Sequence, residues 1–227
     1  MSKRIFISAT NTDIGKTYTT LQLLDAFTQM GYRVGVYKPI ETGVNGLPAD
    51  GSLLLKHACA LNPALKSLRV GDVVSLALSL PAAPYVANKG TTIDLNLFDK
   101  ALEKIEKLCD IVLIEGAGGL MTPLDDNKLM MHDLATHFNA TILLVTHCRL
   151  GCINDTLLNL DKLSHLEIPH LWVFNCRNDD ESFKHTSLPY FKNHFEPLYF
   201  LGHNTPVLAQ ALLDKINSNN KESICDI

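Results

Sequence analysis

The sequence predicts a single α/β domain built on a doubly wound, mostly parallel sheet, and three observations lead there. The apolar run Ile5-Phe6-Ile7 passes through Ser8–Thr17 into the apolar-periodic stretch from Tyr18 to Leu24, in the order strand, tight loop, helix. Short continuous apolar runs recur at 110–114, 140–145 and 170–174, with helix-length stretches between, the pattern of a sheet buried on both faces. At 227 residues the chain is long for one domain and short for two, a size at which α/β sheets commonly form one core. With no internal repeat or linker in view, residues 1–216 are expected to form that domain. The Asn- and Ser-rich stretch 217–227 is expected to fray.

The first loop carries the chemistry. A helix start offers backbone N–H groups without internal partners and a partial positive charge, so it holds an anion before any side chain contributes. Gly15 lets backbone pass close to phosphate, Lys16 can reach β- and γ-phosphate oxygens, and the Thr17 hydroxyl can ligate Mg²⁺. The pattern G-x-x-x-x-G-K-[ST] is met except at its first glycine, where Thr10 stands. A fold of the P-loop nucleoside triphosphatase type follows.

The remaining elements are read in chain order. A helix is expected over Lys16–Met30, with Leu21, Leu24 and Phe27 on one face and Gly31 ending it. Arg33–Tyr37 reads as a strand stopped by Pro39, which sets Lys38 and Thr42 just past a carboxyl edge where open α/β sheets bind ligands. A Gly/Pro/Asp-rich loop covers 45–51, and a helix covers Ser52–Leu61. Asp50 beside it is either an N-terminal charge or an outer ligand of Mg²⁺. Two prolines make 80–84 a loop, Leu97–Leu108 is an amphipathic helix and Asp110–Ile114 a buried strand. That strand ends in Glu115-Gly116-Ala117-Gly118-Gly119, a carboxylate followed by small residues, where a nucleoside triphosphatase keeps its second metal-side acid. After the strand Ala140–Val145 the chain turns into a helix reaching about His165, and Gly151, Cys152, Ile153 and Asn154 form a second helix start suited to a carboxylate. Asn175, at the tip of the strand His170–Phe174, suits a base edge or a turn cap equally. Leu198–Leu201 reads as a last strand.

Composition narrows the partners. A hydrophobic share of 46% with 19% charged residues excludes a disordered chain, and a net charge of −4 supplies no basic surface for nucleic acid or anionic membrane. No apolar stretch reaches the roughly 18 residues of a membrane span, and only three apolar residues follow the basic start, too few for a signal peptide. A cytoplasmic protein is expected. The six cysteines form no C-x-x-C pair and read as free thiols. His132 and His137, five apart, fall on different helix faces, unlike a zinc-binding pair.

Four motifs taken together, Thr-Asn-Thr-Asp-Ile-Gly-Lys-Thr, Tyr-Lys-Pro-Ile-Glu-Thr-Gly, Leu-Ile-Glu-Gly-Ala-Gly-Gly and Arg-Leu-Gly-Cys-Ile-Asn, resemble those of dethiobiotin synthetases, in that family's order from Lys3 to about Asn175. The resemblance implies ATP-dependent closure of 7,8-diaminononanoate with CO₂ to the ureido ring of dethiobiotin, through a carbamate and its mixed anhydride with phosphate. It assigns Asp13, Ile14, Gly15, Lys16, Thr17 and Tyr18 to the triphosphate, with Gly116, Ala117 and Gly118 alongside, and Thr17, Asp50 and Glu115 to Mg²⁺. Lys16 and Lys38 would stabilise the reacting charges, Thr12 and Thr42 would contact substrate, and Asn175 would read the base. Gly151, Cys152, Ile153 and Asn154 would bind the substrate's carboxylate from a neighbouring subunit, implying a homodimer. Arg149 stands where many relatives carry lysine, and the Gly-x-Ile-Pro-x-Leu stretch that frames adenine does not follow Asn175, leaving base selectivity open. Two other readings are a cobyrinate-type amide synthase ATP domain and a partitioning-type switch ATPase. The first lacks its glutaminase part here, and the second usually carries a further lysine near Thr10 and Asn11.

Overall fold

The computed structural model describes every residue except 1, 178, 179, 181, 203, 226 and 227. The chain runs β1 (Lys3–Ala9), α1 (Lys16–Gln29), β2 (Val34–Thr42), α2 (Ala49–Leu61), α3 (Val70–Val73), β3 (Val74–Leu78), α4 (Pro84–Ala87) and α5 (Leu95–Glu106). It continues through β4 (Ile111–Glu115), α6 (Met131–His137), β5 (Thr141–His147), α7 (Cys152–His165), β6 (His170–Asn175), α8 (Phe183–Thr186), α9 (Leu188–His194) and α10 (Thr205–Cys225).

The strands form one six-stranded sheet in the order β3-β2-β4-β1-β5-β6, with every neighbouring pair parallel. This is the predicted doubly wound architecture. β4 and β5 are buried along their whole length, as near-continuous apolar runs require when helices flank a sheet. α2, α1 and α10 lie side by side, α5 rests on β2, β3 and β4, and α7 rests on β5. Phe6, Phe27, Tyr37, Phe98 and Phe138 fill the core between sheet and helices. A smaller aromatic cluster of Phe174, Phe183 and Phe191 closes the β6 end.

Several expectations are corrected. β2 does not stop at Pro39 but runs on to Thr42. Its ladder with β4 ends at Tyr37, and from Lys38 onward only β3 is alongside, so proline falls where one edge of the strand is already unpaired. β3, a partly exposed edge strand, is an element the sequence reading did not single out. Leu198–Leu201 makes a single bridge, Phe174 to Phe200, before Gly202 turns the chain toward α10. α10 carries helix through residue 225, across most of the stretch read as a fraying tail; 226 and 227 lie outside the described residues.

The expectation of six free thiols fails at one pair. Cys148 and Cys176 are joined in a disulfide, their Cα atoms 5.0 Å apart. The cause lies in strand register: β5 and β6 pair up to His147 and Asn175, so the next residue on each strand arrives at the same edge. Cys59, Cys109 and Cys152 are free.

Candidate active site

Register assembles the site at the carboxyl edge of the sheet. Ile7 of β1 lies opposite Glu115 of β4, which sets that carboxylate beside the loop leaving β1. Tyr37 of β2 lies opposite Ile114, so the next pair along, Lys38 and Glu115, projects from the same face. Lys38 Nζ donates to Glu115 Oε1 at 2.6 Å and lies 3.3 Å from Asp50 Oδ2. Thr17 and Thr20, on the first turns of α1, donate to the two Glu115 oxygens at 2.9 Å each. A carboxylate only 1% exposed is thereby matched by a cation and two hydroxyls, as a buried charge requires.

The loop before α1 is shaped by two left-handed residues, Asp13 (φ 59°) and Gly15 (φ 100°). Thr10 is not one of them, so the missing first glycine removes no conformational freedom that the loop uses. At Gly15 a Cβ would also collide with the Asn175 amide. Burial, assisted by the neighbouring Lys38, lowers the Lys16 ammonium to about 8 against the pull of Glu115. Burial likewise works against charge on Lys38, but Glu115 and Asp50, with Glu41 behind them, outweigh it and hold that lysine above its ordinary value.

These side chains open into a cavity of about 810 Å³. Thr12, Asp13, Gly15, Lys16, Thr17, Lys38, Thr42, Asp50, Glu115, Gly116, Ala117 and Gly118 all line it, bringing together most residues singled out from sequence. Four groups fall elsewhere. Ile14 is buried, with its side chain in the core, and Tyr18 is half exposed outside the cavity. Gly151–Asn154, at the start of α7, do not reach the cavity of their own chain. Asn175 spends its amide on the loop, donating from Nδ2 to the Ile14 carbonyl at 2.7 Å.

Sequence reasoning missed four contributors. Glu41 accepts from the backbone N–H groups of Asp50 and Gly51 at 3.0 and 2.9 Å. It supplies the N-terminal acceptor that Pro48, the residue before α2, lacks, and so fixes Asp50 at the cavity wall. The Pro81–Pro84 segment and Thr122 complete the wall, Pro81 packed against Gly43 next to Thr42 and Thr122 accepting from the Gly119 N–H. Arg177 reaches back from beyond β6 to donate to the Asp13 carbonyl at 2.7 Å. Only Pro81–Pro84 carried a local signal, as a loop.

Comparison with known proteins extends this geometry. A family model described as an AAA domain matches residues 3–211. The ATP-dependent dethiobiotin synthetase BioD of Sulfurovum sp. is 42% identical over 187 residues, 82% of this chain and 89% of that protein. The protein of the same name from Wolinella succinogenes is 38% identical over 217 residues, 94% of this chain and 100% of its own. Among solved structures, a plasmid partition protein from Borrelia burgdorferi superposes with a TM-score of 0.56 at 10% identity, covering 96% of this chain and 99% of that one. The MinC:MinD cell division protein complex of Aquifex aeolicus gives 0.53 at 16% identity, covering 97% and 96%. At such identities the structural likeness speaks for the fold alone.

Proposed function

The chain belongs to the ATP-dependent dethiobiotin synthetase family and is a cyclo-ligase of biotin biosynthesis, and from that premise we propose how its cavity divides the work. ATP lies with its triphosphate against Asp13–Thr17, where loop N–H groups and Lys16 meet the phosphate oxygens. The diamine occupies the end walled by Thr42, Pro81–Pro84 and Thr122. One amine captures CO₂ as a carbamate, a carbamate oxygen attacks the γ-phosphorus, and the second amine displaces phosphate as the ring closes. Lys38 lines the same cavity, and its charge is most useful as negative charge passes from carbamate to phosphoryl group. The remaining catalysis is positioning, which the rigid β2–β4–β1 edge supplies.

The residues present fit Mg²⁺. Thr17, Glu115 and Asp50 offer only oxygen donors, two of them carboxylates, and Lys38 is held between those carboxylates, where a positive charge is already favoured. Bound there, the ion would neutralise phosphate charge and orient the γ-phosphoryl group. Gly151–Asn154 lie outside the cavity of their own chain, which supports their serving a partner's site in a homodimer. No helix among the described residues is long and apolar enough to cross a membrane. We place the enzyme in the cytoplasm, with its supply of ATP.

The observation that carries this reading is the convergence of Lys16, Lys38, Asp50, Glu115 and Thr42 on one cavity. Phosphate release from ATP, measured with and without diaminononanoate and bicarbonate, tests it. Release is expected only with both present. A diamine-independent ATPase would instead fit the switch reading.

A further inference from the structure

The end of β6 and the residues just past it face the phosphate loop with alternate side chains. Asn175 donates from Nδ2 to the Ile14 carbonyl and Arg177 from Nη2 to the Asp13 carbonyl, each at 2.7 Å. Cys176 between them is tied to Cys148 at the end of β5, so the segment is fastened to the sheet while its flanking side chains reach the loop. The two carbonyls they hold belong to the peptide units whose N–H groups come from Ile14 and Gly15. A peptide unit is planar and trans, so fixing each C=O fixes the opposing N–H. These are the donors that a phosphate-binding loop presents. Asp13, left-handed without being glycine, is a place where the backbone needs outside support, and Arg177 grips its carbonyl.

We propose that Asn175 and Arg177 are positioning residues that act as a strap over the phosphate loop, aiming its N–H groups, and that nucleotide affinity in this chain depends on the strap through the phosphates rather than the base. The strap rests on the assignment of Asp13–Thr17 to the triphosphate. The strap uses one of the two amide N–H groups of Asn175.

The test separates phosphate from base by using inorganic tripolyphosphate, with Mg²⁺, as a competitor of ATP. In Asn175→Ala and in Arg177→Ala, the inhibition constant of tripolyphosphate and the KM of ATP should each rise roughly fivefold, the scale of one hydrogen bond, with kcat little changed. Arg177→Lys, which keeps a donor, should recover most of the loss. A merely structural defect would lower kcat and melting temperature together and would not be rescued. An unchanged tripolyphosphate constant in either alanine variant overturns the strap, and a loss confined to ATP at Asn175 returns that residue to base reading. Lys16→Ala serves as control. If tripolyphosphate fails to compete in the unsubstituted enzyme, or raises the melting temperature of Lys16→Ala as much as that of the unsubstituted protein, the loop assignment itself falls.

Discussion

Replacing Lys16 by methionine should make the ligand-free protein more stable while abolishing turnover. The stem keeps its packing and only the ammonium is lost. That ammonium, lowered by burial from 10.5 to about 8, is held charged at pH 7 against its surroundings. At 1.36 kcal/mol per pH unit the displacement corresponds to roughly 3 kcal/mol. Below about pH 8 the lysine is protonated both folded and unfolded, and the whole cost is present. Between about 8 and 10.5 the unfolded chain binds the extra proton, so the stability of the unsubstituted protein rises with pH across that window. Cys109 acts in the opposite sense above its ordinary 9.0, because burial pushes its thiol up to about 12. The difference between the two proteins at each pH therefore isolates Lys16. Urea unfolding should show the methionine variant ahead by roughly 3 kcal/mol near pH 7, or about 6–12 °C in melting temperature for a chain of this size, with the gap closing toward pH 10.5. Saturating Mg-ATP should reverse the order, because only the lysine protein gains from binding. A variant no more stable than its parent near pH 7, or a gap that does not change with pH, refutes the reasoning.

Four further substitutions address the acids proposed for Mg²⁺, Lys38 and the start of α7. Glu115→Gln and Asp50→Asn should each raise the Mg²⁺ concentration needed for half-maximal rate, since an amide is a poor ligand for a hard cation. Glu115→Gln should also lose about 3 kcal/mol in urea unfolding, because Lys38, 3% exposed, loses its 2.6 Å carboxylate partner and keeps only the half-exposed Asp50 and the more distant Glu41; unchanged Mg²⁺ dependence in both variants removes them from the site. Lys38→Ala should depress kcat, and a bulky residue at Gly151, whose φ of 98° disfavours side chains, should chiefly raise the KM for the diamine. Mixing these two impaired proteins at a diamine concentration far below the raised KM should restore part of the activity through heterodimers with one intact site, and no recovery despite proven subunit exchange would place both elements in one subunit.

Much of the fold was legible because its signals are local. The strands β1, β4, β5 and β6 each carry a short apolar run, and the loop before α1 has its own glycine, lysine and threonine spacing. What stayed hidden depends on neighbours. Pro39 reads as a strand breaker until the β4 ladder is seen to end at Tyr37. The Cys148–Cys176 bond joins residues 28 apart that meet only through the register of β5 on β6.

The candidate site divides along the same line. Lys16, Thr17, Lys38, Asp50 and Glu115 present charge or hydroxyl to the cavity, and such residues can be suspected from type and position at a strand's end. Glu41, Asn175 and Arg177 act on backbone instead: Glu41 on the first amides of α2, the other two on carbonyls of the phosphate loop. Their partners are peptide groups, which every residue carries, so no pattern of side-chain types announces the pairing. Asp50 shows the consequence. Its carboxylate can be proposed for Mg²⁺ from sequence, yet its place 3.3 Å from Lys38 depends on Glu41 anchoring the start of α2. Groups that touch ligand are therefore readable one at a time, whereas the groups that aim them become visible only once strand register has set distant segments side by side.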